Sequence, residues 1–322
     1  MRDLATQVRS LHGQPTIGST FSEAAYQYQP GDTFSISTMF PFREGPRTRT
    51  EYRIPDPDTR WTYAATSPES TYNALFPHEP VEEMTVSDPH LRSYDAGQTL
   101  DLPEFTAPIT AAPNPGAPIQ RSGDRMRIYL DGFTDAEGNH GSAYSDASGM
   151  ATHLEVLANG ALVAETDHLP YGIAALPAGE SQVAIHFTTA NPQSWNQLST
   201  STDTTWTFPS STTSSPVNAP VLLPDYDVAV DLRNRVRTDQ HGRTAFDLAI
   251  PHADGSGEPV DVTLDASWDD GGTWTPASVT ATDSGWHVVL AKGTGFASLR
   301  LHAADNAGST VDQTVVRAFL VR

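Results

Sequence analysis

Four oxygen-bearing side chains, Asp131, Asp135, Glu137 and Asn139, fall in one glycine-punctuated run of the chain. Closely spaced carboxylates and amides beside glycine can wrap a hard cation, so calcium is the cofactor this run points to. The run does not follow the EF-hand order D-x-[DN]-x-[DN]-G, and a solvated β-loop is the competing reading. Three aromatics are candidates for a sugar- or peptide-binding platform: Tyr171, Trp195 in Pro192-Gln193-Ser194-Trp195-Asn196, and Trp206. The competing reading packs these rings onto a sheet. The eleven histidines are scattered, with no H-x-x-x-H or H-E-x-x-H spacing, which argues against a helical zinc site. Arg233, Arg235 and Arg237 alternate and would share one strand face, where pairing with Asp or Glu is expected.

Two fragments imitate serine-protease motifs. Ser148-Gly149-Met150-Ala151 is like the G-T-S-M-A run of a subtilisin nucleophile, but Asp146-Ala147 stands where Gly-Thr belongs. His241-Gly242-Arg243 lacks the second histidine of H-G-T-H. A triad is recognised by geometry and context, so neither fragment is read as catalytic and the chain is expected not to be an enzyme. Ser267-Trp268-Asp269-Asp270-Gly271-Gly272-Thr273-Trp274 fits the Asp-box S-x-D-x-G-x-T-W of sialidase propellers. Physically the box stabilises a hairpin: Ser and Asp cap turn amides and Gly takes positive φ. One copy makes no propeller, so a glycosidase reading rests on this motif alone.

The elements that would position these groups read as strands. Short apolar or alternating runs separated by turn residues give an all-β chain. The spans are 33–40, 49–54, 61–66, 83–86, 125–130, 151–158, 161–166, 179–188 and 204–208, then 226–232, 244–250, 260–267, 273–279, 285–291, 296–303 and 311–320. Asn159-Gly160 predicts a tight hairpin between two of them. Leu4, Val8 and Leu11 recur at helical spacing before Gly13, predicting one short N-terminal helix, and 68–75 is a second helical stretch. The Ser/Thr/Pro run 209–216 reads as a linker, and the Pro/Ala-rich run 107–118 as a crossover between sheets. Two β-sandwich domains in tandem follow: 1–215, jelly-roll-like, and 216–322, immunoglobulin- or fibronectin-III-like, with about seven strands in roughly 100 residues.

Composition narrows the function classes. The 322 residues carry 39 Asp plus Glu against 19 Lys plus Arg, a formal charge of −20, with Lys292 the only lysine. Phosphate binding needs clustered Lys and Arg, so nucleic acid is not an expected partner. The chain has no Cys, which excludes disulfides, a thiolate nucleophile and Cys-ligated metals. No run approaches a membrane span and no signal-peptide core follows Met1, so a soluble chain with no membrane partner is expected.

Several runs together resemble one family. They are Arg49-Thr50-Glu51-Tyr52 with Arg60-Trp61-Thr62; 135–141; Asn191-Pro192-Gln193-Ser194-Trp195 with 204–208; 223–234; the Asp-box; and 299–306 with Gln313-Thr314-Val315-Val316-Arg317-Ala318. Their order is similar to the region after the catalytic domain in large secreted subtilisin-like serine peptidases of actinobacteria, best over 120–322. The resemblance implies a non-catalytic, secreted, extracellular β-rich accessory region. Its partners would be an upstream catalytic domain or a protein or polysaccharide ligand. Stabilisation, substrate capture and capping of an active site are all roles it leaves open. A carbohydrate- or cell-wall-binding module is the alternative from the residues themselves.

Overall fold

A computed structural model describes residues 4–17, 19–28, 36–67, 84–141, 150–167, 171–256 and 261–322, with only the backbone at 20, 22 and 36–43. The helical stretch at 68–75 and Ser148 lie outside these residues. No helix occurs among them, and the architecture is all-β.

The first strands are β1 (Ala5–Leu11), β2 (Ser19–Tyr28), β3 (Ile36–Gly45), β4 (Arg47–Arg53), β5 (Arg60–Ser67), β6 (Met84–Ser87) and β7 (Thr99–Glu104). Next come β8 (Thr110–Pro113), β9 (Gln120–Gly123), β10 (Arg125–Thr134), β11 (His140–Gly141), β12 (Ala151–Ala158) and β13 (Ala161–Thr166). Then follow β14 (Tyr171–Ala175), β15 (Glu180–Ala190), β16 (Ser201–Ser211), β17 (Thr213–Asn218), β18 (Asp225–Asp227), β19 (Arg235–Val236) and β20 (Ala245–Ala249). The last are β21 (Asp261–Ser267), β22 (Thr275–Pro276), β23 (Ser278–Thr282), β24 (Gly285–Val289), β25 (Gly295–Ala304) and β26 (Thr310–Val321).

Four sheets result. A small one runs β4-β1-β7; a second runs β17-β9-β10-β11-β6-β5-β2-β3, with β8 and β14 also on β10. The third runs β13-β12-β15-β16-β26-β25-β21-β22, and the fourth β18-β20-β24-β23. One apolar core fills the space between the third sheet and its two neighbours, from Met126, Ile128 and Phe187 at one end to Phe246, Leu299 and Phe319 at the other. The second sandwich is immunoglobulin-like: β18-β20-β24-β23 faces the β26-β25-β21 half of the third sheet, with Phe246 meeting Phe319 edge-on at 6.1 Å.

Two expectations are corrected. The N-terminal helix is strand β1, held by β4 on one side and β7 on the other. Its inward residues are Ala5, Gln7, Arg9 and Leu11, so the period is two, and polar side chains on the buried face disguise it. The run 209–216 is no linker, because β16 and β17 occupy it; β16 pairs with β26, so the two sandwiches share a sheet across the join expected at 215. Thr and Ser suit a pleated edge as readily as a loop, which is why composition misled. The run at 107–118 leads from β7 of the small sheet to β9 of the second, as a crossover between sheets, and adds β8, paired with β10, on the way.

Asn159 and Gly160 sit at φ 51° and 80°, the turn their types predict, and β12 and β13 have the predicted bounds. Gly293 is needed for a different reason: a Cβ there would lie 2.0 Å from the Trp268 ring.

The small sheet packs by charge. Arg9, almost fully buried, donates to Glu104 through Nε (3.0 Å) and Nη2 (2.6 Å) and lies 3.4 Å from Glu23. Arg49 reaches Glu23 at 2.6 Å, Arg47 also pairs with Glu23, and Arg49 and Arg53 pair with Glu51. Arg53 lies over the Trp61 ring at 4.5 Å. Tyr94 donates to Gln7 at 2.5 Å and shares a hydrogen bond with Tyr63 at 2.7 Å. Burial pushes the Glu104 carboxyl above its ordinary range, against the pull of Arg9.

Candidate functional site

The oxygen-rich run at 131–139 is built as a turn. Asp135 Oδ1 accepts from the amides of Glu137 and Asn139, each at 3.0 Å, and its Oδ2 accepts from the Asn139 side chain at 2.9 Å. Asp131 takes both its oxygens to Asn114 Nδ2, at 3.1 and 2.9 Å, and lies 3.0 Å from His140 Nδ1. Asn139 spends its amide on Asp135 and on the Pro103 carbonyl. Glu137 stays exposed. N–H donors surround Asp131 and Asp135 where a cation would need free lone pairs, and the Asn139 side chain is spent on Asp135, which leaves Glu137 without co-ligands for calcium. Burial pushes the Asp135 carboxyl up to about 7, against the amides that favour its ionised form.

The three candidate aromatics separate. Trp206 is fully buried in the apolar core, its indole N–H donating to the Leu222 carbonyl at 3.0 Å. It therefore cannot meet a ligand; it holds the segment entering the second sandwich. Trp195 is half-buried against the cluster of Phe21, Phe105 and Phe133. Tyr171 is exposed and stacks on Tyr129 across the β14–β10 pair, with ring centroids 5.5 Å apart and planes 10° apart. Arg127 stands opposite Ile173, which is 67% exposed, and Arg127 donates to Gln120 at 2.9 Å. Gln120, Ser122, Arg125, Arg127, Ile173 and Pro216 line an open groove of about 270 Å³ beside the two tyrosines. Alternation along β9, β10 and β14 puts Gln120, Ser122, Arg125, Arg127, Tyr129, Tyr171 and Ile173 on the outward face, and Pro216 of β17 is exposed beside them. Of the binding residues expected from sequence, only Tyr171 reaches this face; Tyr129, Arg127 and Ile173 were missed, though Tyr129 sits at the outward phase of β10 in Arg125–Thr134.

The other motifs are structural. In the Asp-box, Gly271 N–H donates to Ser267 Oγ at 2.8 Å and Thr273 N–H to Asp269 Oδ1 at 2.8 Å. The Ser267 hydroxyl, then the Thr273 groups, hold the Asp269 carboxyl below its ordinary value. Asp270 and Gly271 take positive φ, and Arg317 donates to Asp270 from β26 at 2.8 and 2.7 Å. Arg233 and Arg235 pair with no carboxylate among the described residues. They donate to the carbonyls of Ile17 and Pro15, while Asn234 donates to those of Gly13 (3.2 Å) and Phe105 (2.9 Å). This turn stitches the N-terminal segment to the second sandwich, because bare carbonyls in a coil segment need donors as much as acids do. The His241 backbone amide donates to Asp239 Oδ1 at 2.7 Å, so Asp239 caps the turn at His241.

A second polar grouping was invisible in the histidine spacing. His153, Glu155 and Glu165 bring one ligand atom each within 4.8 Å of one another on the exposed face of β12 and β13. The signal lay in His153-Leu154-Glu155, an i, i+2 pair on one strand face, and in the hairpin register that sets Glu165 opposite Glu155.

No family model and no curated protein matches the chain. Solved structures similar to it include three N-terminal domains of the bacteriophage RB49 highly immunogenic outer capsid protein: 9% identity, 100% of this chain and 99% of that one, TM-score 0.21. Sidekick-1 immunoglobulin domains 1–4 give 8% identity over 100% of both chains, TM-score 0.18. Drosophila OTK extracellular domains 3–5 give 8% identity over 99% and 97%, TM-score 0.18. Likeness at this level carries no functional argument.

Proposed function

We propose that the chain is a non-catalytic, extracellular β-sandwich accessory region that engages polysaccharide through the tyrosine face of β10 and β14. The observation that carries this is the exposed Tyr129–Tyr171 stack, flanked by Ile173, Arg127 and Gln120 on one sheet. An apolar surface rimmed by polar groups marks an interaction site, and aromatic rings with amide and guanidinium donors suit a hydroxyl-rich ligand. Arg125 and Arg127 lend this face local positive charge on a chain of −20, which favours an acidic polymer. The ordered runs that resemble the region after the catalytic domain in subtilisin-like peptidases are what favours attachment to a secreted enzyme, and the turn at 231–235, within one of those runs, favours a stabilising role.

Pull-down on bacterial cell wall, chitin and cellulose tests the reading. Retention on one of them, lost in Tyr129→Ala/Tyr171→Ala with unchanged melting temperature, is the expected result. No retention on any, or retention indifferent to both tyrosines, overturns the platform. Labelling of any serine by a fluorophosphonate probe overturns the non-catalytic assignment.

A further inference from the structure

The β12–β13 hairpin sets Glu155 directly opposite Glu165. Like charges facing each other across an antiparallel pair are destabilising. His153, one pleat away on the same face, aims Nε2 between them, 3.5 Å from Glu155 Oε1 and 3.7 Å from Glu165 Oε1. Both are ion-pair contacts when the ring is protonated, longer than an ordinary hydrogen bond. They match the ligand–ligand edge of a tetrahedral zinc site, which at 2.0–2.1 Å bonds is about 3.4 Å. The other ring nitrogen, Nδ1, is tied to Asp167 at 2.6 Å. A metal-bound histidine characteristically gives its second nitrogen to a carboxylate in this way. Glu155 is oriented too: His186 Nδ1 holds its Oε2 at 3.1 Å and is itself braced by Asp203 at 3.0 Å through Nε2.

We propose that His153 Nε2, Glu155 Oε1 and Glu165 Oε1 form a divalent transition-metal site, with zinc the best-suited ion. The donor set is one imidazole and two carboxylates, with a fourth position open to water. Asp167 and His186 are positioning residues, acting through His153 and Glu155. Calcium is disfavoured because it takes six to eight oxygens and no nitrogen is needed. The ion bridges edge strand β13 to β12 and cancels the Glu155–Glu165 repulsion, so it stabilises the sheet by mass action. This site lies on a different sheet from the tyrosine face and does not depend on it.

The test is calorimetric titration of the full chain with zinc chloride at pH 8, with calcium chloride as the competing probe. One zinc per chain, a rise in melting temperature, and no displacement by equimolar calcium are expected. His153→Ala and Glu165→Gln should abolish binding, and Asp167→Asn or His186→Ala should weaken it ~10–100-fold. His287→Ala, whose ring pairs with Asp247 on another sheet, should leave it unchanged. All these side chains are partly exposed on the sheet, and melting curves without metal confirm that each variant is folded. Absence of zinc binding to the wild-type chain, binding unaffected by His153→Ala, or equal affinity for calcium overturns the site.

Discussion

The small N-terminal sheet and the shared third sheet solve the same packing problem with opposite chemistry. Around Trp206, Phe187 and Phe319 the interior is hydrocarbon and aromatic, contiguous from the first sandwich into the second. Around Arg9 the interior is an ionic lattice of Glu23, Glu104, Arg47 and Arg49, with only a few apolar residues such as Tyr63 and Leu102 beside it. Hydrocarbon burial stabilises wherever shapes fit, and it tolerates substitution by residues of similar volume. A buried ion pair gains little net stability, because each charge has lost its water. It does penalise any other pairing heavily, so the Arg9–Glu104 contact fixes β1 against β7 at a single register. The difference teaches that one region is held by quantity of burial and the other by exactness of match.

Removal of one side chain from each region gives the sharpest contrast. Trp206→Ala should lower unfolding free energy by about 3–5 kcal/mol in urea titration, since it opens a cavity and strands the Leu222 carbonyl. Arg9→Met should cost about as much, ~3–5 kcal/mol, by leaving Glu104 buried without its partner, while Glu23 keeps Arg47 and Arg49. The double variant Arg9→Met/Glu104→Leu should recover most of that loss. No comparable second substitution would rescue Trp206→Ala. If the double variant stays as unstable as the single one, the ionic lattice is more than a matched set of charges and the contrast breaks.

A pH titration sharpens the boundary between the regions. Asp135, whose buried carboxyl rises from 3.8 to about 7, lies where 106 meets the β10 turn. Between those values the folded chain keeps a proton that the unfolded chain has released. The Asp135 contribution to stability should therefore fall as pH rises from about 4 to 7, by up to ~1.4 kcal/mol per unit, and level off above 7. Asp135→Asn should flatten this slope in thermal melts taken across that range. Smaller still is the Asp-box: Asp269→Ala should lower the melting temperature only slightly, by freeing the solvent-exposed Thr273 amide and hydroxyl, with the tyrosine face unaffected.

Much of the outer architecture was legible in the chain. The Asn159-Gly160 turn, the β12–β13 hairpin, the alternating β20, β24, β25 and β26, and the Asp-box hairpin all follow from local rules that need no distant contact. The N-terminal region was not legible, because β1 buries Gln7 and Arg9, and a hydrophobic period cannot reveal a strand whose inward face is polar. The candidate sites divide the same way. Tyr171 could be named from its type, but its partner Tyr129 lies 42 residues back in the sequence and meets it only through the β10–β14 pairing. His153 and Glu155 are neighbours on one strand, while His186 and Glu165 join them only through the registers of β15 and β13.

By itself the sequence determined the all-β class, the positions of most strands, the turn chemistry and the acidic, cysteine-free character, since all of these depend on residue type and near-neighbour spacing. Only the tertiary structure decided which polar residues are buried and which aromatics face solvent. It joined β16 to β26 across a run that composition marks as a linker, and it surrounded Asp131 and Asp135 with donors unsuited to a cation. Burial and cross-strand register are set by partners far along the chain, and no local rule carries that information.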